Sequence, residues 1–431
     1  MLDKPIAPAT RIVRRQPAAL SEQQAEICVL GAGISGISAA LEAARLGRKV
    51  LLVDALPTLG GQAVNSIIGT FCGLFSNGTH GFQLTHGIAD DILRELGAEG
   101  ALHYRREHTT VVLYDEVALG RWVERSIAAA GVTLLLGAVL REVRVEDRRI
   151  AQLELATRYG DVRVRAAGFV DATGDAALAW QAGQECREPA EGVVYGSQMM
   201  VLEQVDEQHY PTRAAISERL AAVGERYGLI RRDGFAFAFP GRGTALVNMN
   251  HIETPLDPVA SSATGLFGKE QADRSLRFLQ NEFPAAFGRT RVRAYGLPGI
   301  RQTRWIVGRH HLTVEEVRAG TKFADSIART AWPIEQHHYA EGYVWEPFDE
   351  HHLHYVPFAS LTPPGLDNLV AAGRCIDADS AALSSVRVMG PCIAMGAAAA
   401  HALDLAGSGS VHQIEIAALR RRLAANVDER P

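Results

Sequence analysis

Gly31-Ala32-Gly33-Ile34-Ser35-Gly36 stands between a short apolar run and an Ala- and Leu-rich segment, and it constrains this chain more than any other feature. Ile27 to Leu30 reads as a strand, and Ile37 to Leu46 as a helix closed by Gly47 at its C′ position. Lys49 to Val53 reads as a second strand, with Asp54 at its end and Ala55 directly behind. A glycine-rich turn alone is weak evidence, but this one sits inside a full strand-turn-helix-strand frame, the context of a dinucleotide site. Gly31 permits the tight turn. Gly33 lets the backbone approach a pyrophosphate, and Gly36 lets the helix pack closely on the strand. The helix N-terminus then offers free N–H groups to phosphates. Asp54 is placed to accept hydrogen bonds from ribose hydroxyls.

The rest of the chain limits what such a unit can serve. Its 431 residues suggest two or three domains, and a net charge of −5 gives no reason to expect a nucleic-acid partner. The five cysteines (Cys28, Cys72, Cys186, Cys375, Cys392) form no CxxC pair. Neither a disulfide framework nor an iron–sulfur array is expected, and the usage suits a reducing, cytoplasmic setting. No apolar h-region precedes the first strand, and no long uncharged apolar stretch suggests a membrane span. His310, His311, His337, His351, His352 and His354 lack metal-ligand spacing, so no metal is expected.

Further along, the pattern predicts a helix over 114–130, a strand over 132–136 and a meander over 139–145, 150–156 and 162–166. A separate buried strand over 168–171 turns sharply at Thr173-Gly174. Strand character returns at 198–202, 234–250 and 368–372, and helices are expected over 263–283 and 391–405. Gly241-Arg242-Gly243 reads as a hairpin turn rather than a second nucleotide motif, so a dedicated NAD(P)H domain is not supported. The expected fold is α/β. A discontinuous Rossmann-like FAD-binding domain spans 20–60, 115–185 and 360–425. An inserted α+β substrate domain spans 61–114 and 186–359, and 1–19 forms an N-terminal extension.

Asp54 is followed, after five residues, by Gly60-Gly61, an extension that resembles FAD-binding families rather than NAD-dependent dehydrogenases. Further blocks carry the same likeness: Val170-Asp171-Ala172-Thr173-Gly174-Asp175, Gly299-Ile300-Arg301-Gln302-Thr303-Arg304, Trp332-Pro333-Ile334 with His338, and Val356-Pro357-Phe358-Ala359. Leu369 to Cys375 and Ser385-Val386-Arg387-Val388-Met389 complete the set. Over residues 25–407 the chain resembles the FAD-dependent oxidoreductase family. The resemblance implies that Gly31, Gly33, Ile34, Ser35 and Gly36 hold the FAD pyrophosphate and Asp54 the adenosine ribose. It implies Val139 at the adenine, Ala172, Gly174 and Asp175 along the nucleotide, and Gly373 and Arg374 over the pyrophosphate. Val388, Met389, Pro391 and Cys392 would bring a helix N-terminus to the flavin. The chain departs from the family pattern at Gln302, His354, Phe358 and Ala359, where Glu, Tyr, Tyr and Arg are usual.

Candidates for chemistry follow. Arg301 and Arg304, read on one strand, face opposite sides, so one would bind an anionic substrate while the other pairs structurally. His338 or His354 would accept a proton. Cys72 would approach the flavin as a thiolate or an attachment point. The 354–359 strand would line the substrate pocket. The implied activity is hydride removal from a C–N or C–O bond of a small organic substrate, with electrons passed to oxygen, a quinone or a carrier. A flavin monooxygenase using NAD(P)H and an FAD-binding electron-transfer subunit are the alternatives. Homo-oligomerisation is left open.

Overall fold

A computed structural model of the chain describes residues 10–14, 20–189 and 194–428. Residues 1–9 and 15–19 of the expected extension lie outside the described residues. A seven-stranded sheet organises the molecule, in the order Thr133–Leu136, Val50–Asp54, Ser21–Leu30, Gly160–Asp171, Arg149–Thr157 and Val139–Glu146. Leu369–Ala371 pairs parallel with the far end of Gly160–Asp171. Ser21–Leu30 lies between two parallel neighbours, with Ile27 opposite Val50 and Leu30 opposite Asp171. Both faces of this strand are covered: Ile27 and Val29 enter one core and Cys28 and Leu30 another. That is why the sequence there reads as a continuous apolar run.

The meander and the buried strand after it are one element. Gly160–Asp171 begins antiparallel to Arg149–Thr157 and continues, parallel to the first strand, into the centre of the sheet. The expected break before Gly168 does not occur. Gly168 instead makes room for a helix: a Cβ there would come within 2.8 Å of Leu403. The helix, Met389–Ala406, is apolar enough to cross a membrane by length and composition, yet 78% of it is buried inside the protein. It packs on Ile34–Arg45, with Ser38 Oγ donating to Ile393 O at 2.7 Å. Contact is close because a Cβ on Gly396 would meet Ser35 O at 2.1 Å.

Across the site lies a four-stranded antiparallel sheet, ordered Phe235–Phe239, Thr244–Asn248, Met200–Glu203 and Arg291–Tyr295. Gly241 and Gly243 form its hairpin turn, both with positive φ. Pro258–Glu282 and Arg213–Val223 cover one face of it through Phe278, Leu279 and Leu220. The longer helix starts before the expected 263 because Asp257 caps Val259 and Ala260 N–H and Pro258 fits the first turn. Small hairpins fill the space between the sheets, among them Ile334–Gln336 with Val344–Glu346.

Candidate functional site

One cavity of about 1170 Å³ runs from the glycine turn to the smaller hairpins. At its first end Gly31 has φ +99°, and a Cβ on Gly36 would lie 1.8 Å from Gly31 O. A Cβ on Gly33 would meet nothing within 4 Å, so its backbone faces open space. Gly60 (φ +98°) donates its N–H to Ala32 O at 2.9 Å. Gly61 then presses on the turn, where a Cβ would reach Gly33 Cα at 2.5 Å. The Gly60-Gly61 pair is thus a brace for the first turn. Asp54 accepts from Ala32 N at 2.5 Å and Leu56 N at 2.7 Å, and burial nonetheless raises its carboxyl above the usual range.

Gly31, Gly33, Ile34, Ser35, Asp54, Ala55, Gly61, Val139, Ala172, Gly174, Asp175, Gly373, Arg374, Val388, Met389 and Cys392 all border the cavity. Gly36, Gly60 and Pro391 do not; Gly36 and Gly60 shape backbone, and Pro391 packs near Gly73. Arg374 donates to Thr303 Oγ1 at 2.8 Å and Asp175 Oδ1 at 2.7 Å. Burial opposes ionisation of Asp175, but Arg374 and Thr303 hold its carboxyl below the usual range.

The other end is walled by Trp332, Tyr343 and Trp345, with Cys72, Arg301, Glu335 and Arg387. Arg301 Nη1 donates to Tyr195 O at 2.7 Å. Burial and the nearby Arg387 guanidinium push Arg301 below its ordinary value. Arg387 also borders the cavity; burial pushes it below its ordinary value, and the Glu335 carboxylate opposes that shift. Trp332 Nε1 donates to Glu335 Oε2 at 3.1 Å.

Several expected chemical residues stand elsewhere. Arg301 to Arg304 is not a strand, and only Arg301 turns inward. Arg304 donates to Glu188 Oε1 at 2.8 Å and lies over the Trp180 ring, away from the cavity. His338 is exposed against Tyr339. In its place His337 is buried, because residues two apart on an extended segment share a face, and Glu335 and His337 do. His354 is buried beneath the cavity floor, where Nε2 donates to Ser385 Oγ and Ser385 donates to Trp332 O. Burial brings it down to about 3, so it is a neutral structural ring. Phe358–Leu361 is a 3₁₀ turn, not a pocket strand, with Phe358 in the core and Ala359 N bound to Asp325. Cys72 does reach the cavity, but burial pushes its thiol up, so it is no thiolate. Glu335 and Tyr343 were not singled out from sequence; His337 was weighed there only as a metal ligand, and Arg387 only as part of a family block. Parity along Ile334-Glu335-Gln336-His337 was the one available signal.

The sequence matches the profile of the FAD dependent oxidoreductase family across residues 26–423. The chain belongs to the FAD-dependent oxidoreductase family. No curated protein matches the sequence. Among solved structures, a geranylgeranyl bacteriochlorophyll reductase-like protein from Thermoplasma acidophilum is 14% identical over 89% of this chain and 78% of that one, with TM-score 0.47. Flavin-dependent brominase Bmp2 is 11% identical over 93% and 83%, with TM-score 0.47. A p-nitrophenol 4-monooxygenase from Pseudomonas putida is 11% identical over 94% and 81%, with TM-score 0.43. At such values the likeness says nothing of substrate or reaction.

The cofactor of this oxidoreductase is FAD, and the cavity suits it. Two helices, Ile34–Arg45 and Met389–Ala406, begin at the cavity without a side-chain cap or an acidic residue in the first turn. Their free N–H groups and positive dipole ends favour anionic groups. The volume exceeds the roughly 300–1,000 Å³ of ordinary ligand clefts, leaving space for cofactor and substrate together. Among the described residues no group of three or more His, Cys, Asp or Glu is placed to hold a metal ion.

Proposed function

We propose that this oxidoreductase removes a hydride from a C–N or C–O bond of a small organic anion. FAD would be held by Gly31, Gly33, Ile34 and Ser35 at its pyrophosphate, with Gly373 and Arg374 closing over it. Asp54 would take the adenosine ribose and Val139 the adenine, while Val388, Met389 and Cys392 would hold the flavin end. When bound, FAD supplies a two-electron acceptor, from which electrons pass to oxygen, a quinone or a carrier.

The observation that carries this reading is the far wall of the cavity. Arg301 and Arg387 bring two guanidinium groups to one space, where Glu335 is the one carboxylate on the same wall that acts on both. Two buried guanidiniums against one carboxylate leave this wall with an excess of positive charge, which an anionic substrate would offset. Trp332, Tyr343 and Trp345 line the cavity beside it and offer aromatic surface to an apolar or aromatic body. Arg301 and Arg387 therefore orient the anion, and the aromatic wall sets where the oxidised carbon sits.

Anaerobic mixing of the yellow protein with small hydroxy and amino carboxylates tests the proposal. Bleaching of the flavin by one of them, with no demand for NADPH, is the expected result. Bleaching by NADPH alone, with no response to any carboxylate, would establish the monooxygenase alternative instead.

A further inference from the structure

The cavity has a second cationic end. Phe235 and Asn248 stand opposite each other on neighbouring strands, so their side chains share the sheet face that borders the cavity. Arg213 and Tyr343 border the same space, with Arg213 exposed at its open rim. Arg213 Nη2 donates to the Tyr343 hydroxyl at 3.1 Å, and its guanidinium lies 4.8 Å from the Phe235 ring centroid. Behind them Arg231 is buried, 5.5 Å from the Tyr343 ring and 5.7 Å from that of Phe235. Arg231 Nε donates to Asp233 Oδ1 at 2.6 Å and Nη1 to Asn248 Oδ1 at 2.8 Å.

The two arginines fix which way their neighbours' dipoles point. A guanidinium only donates, so each group bonded to it must offer an oxygen. With its oxygen turned to Arg213, Tyr343 keeps its own hydrogen for a partner on another side. With its oxygen turned to Arg231, Asn248 holds its amide hydrogens on the opposite side. Arg213 has N–H groups beyond the one spent on Tyr343. All three side chains therefore offer the cavity hydrogens rather than lone pairs. The charge has the matching sign. Asp233 is bonded to Arg231 and to the Tyr343 N–H, while Arg213 is held by an uncharged phenol and a ring. Glu107 also borders the cavity, but Arg105 Nη2 donates to it at 2.8 Å.

An apolar span joins this end to the first. Trp345 lies 5.6 Å from Trp332 and 6.1 Å from Tyr343, ring centre to ring centre. Trp332 in turn bonds Glu335, the carboxylate that acts on Arg301 and Arg387. The two ends repel each other, since Arg231 helps to push Arg301 below its ordinary value. One anion at each end would relieve that repulsion.

We propose that the substrate is a dicarboxylate. One carboxylate sits at Arg301 and Arg387, an apolar or aromatic body lies along Trp332 and Trp345, and the second carboxylate is received by Arg213, Tyr343 and Asn248. This rests on reading the far wall as the seat of the first anion. An ammonium in the second position would meet donors and positive charge, so the same rim rejects molecules with a cationic tail.

Titration calorimetry on the FAD-loaded protein tests this with ligands that cannot lose a hydride to the flavin. Benzoate supplies one carboxylate. Terephthalate, a biphenyl dicarboxylate and the aliphatic diacids from succinate to suberate supply two at graded separations. The monomethyl ester of each diacid keeps the body and removes one charge. The diacid of fitting length should bind about tenfold or more tighter than its monoester, the worth of a charge-assisted hydrogen bond. Arg213→Met should erase that gain and leave benzoate and the monoesters as they were. Tyr343→Phe keeps the ring and should cut the gain by about threefold, as one lost hydrogen bond does. Diacids that bind no tighter than their monoesters, or a gain that survives Arg213→Met, overturn the proposal, and benzoate binding then leaves the first anion site standing. If benzoate and every diacid fail to bind, the reading of Arg301 and Arg387 falls and the second carboxylate falls with it.

Discussion

At the glycine-turn end of the cavity the walls are backbone N–H donors and absent side chains; at the end walled by Trp332 and Trp345 they are long side chains drawn from distant segments. Gly31, Gly33 and Gly61 act by what they lack, and a Cβ on Gly61 would strike the Gly33 backbone. Arg301, Glu335, Tyr343 and Arg387 act by what they reach. A site made of backbone cannot be altered without altering the fold. A site made of side chains can change its substrate and keep its core.

That contrast breaks first, if it breaks, at Gly36. Gly36→Val would drive a side chain into Gly31 O, 1.8 Å from the ideal Cβ. The expected loss is roughly 3 kcal/mol or more, with a colourless product. Measured FAD content per chain decides it, and a yellow, stable variant would refute the backbone account. At the other end Arg387→Met should keep FAD yet weaken benzoate by up to about a hundredfold, since a charge-assisted hydrogen bond contributes about 1.5–3 kcal/mol. Calorimetric titration at fixed salt reads this, and loss of FAD together with benzoate would show that Arg387 serves the cofactor. Asp54→Ala should weaken FAD by about ten- to a hundredfold on the same scale. An unchanged dissociation constant would leave Asp54 only its role as cap for Ala32 and Leu56.

A smaller effect sharpens the distinction between cavity and support. His354 is buried and falls to about 3, while the unfolded chain takes up its proton near 6.5. Below that value the unfolded state binds more protons, so stability drops as pH falls, by up to ~1.4 kcal/mol per pH unit until the folded value is reached. Above it the contribution is complete. Urea midpoints between about pH 6 and about pH 4 should show a shallower slope in His354→Gln. An equal slope would place the acid-sensitive proton elsewhere. Least of all, Arg304→Ala should change stability by no more than ~1 kcal/mol and leave flavin reduction intact, because Arg304 pairs with a half-exposed Glu188. Slowed reduction would return Arg304 to the site.

The same contrast explains what could be read from sequence. The first βαβ frame was legible because its glycines, apolar run and terminal Asp54 are local and periodic. The Gly241–Gly243 hairpin was legible for the same reason. Gly160–Asp171 was not, because a strand that changes partners midway looks like two short runs. At the aromatic end, composition pointed to histidines but not to which one. His338 and His337 differ by one position, and only the facing of a three-residue strand, Ile334–Gln336, separates a surface ring from a buried one. The likeness at Phe358-Ala359 suggested a pocket wall, yet a 3₁₀ turn put Phe358 inward and tied Ala359 to Asp325.

The contact of the helices Ile34–Arg45 and Met389–Ala406 carries one more consequence. Gly396 lies against Ser35 O, and Ser38 is hydrogen-bonded to Ile393 O, so the two helices are locked to each other near the ends that open on the cavity. The interval between those positive ends is then a fixed gauge, like the jaws of a set caliper. A cofactor that spans both must match a length set by helix packing, and enlarging Gly396, which does not itself line the cavity, would move the gauge by pressing on Ser35 from behind.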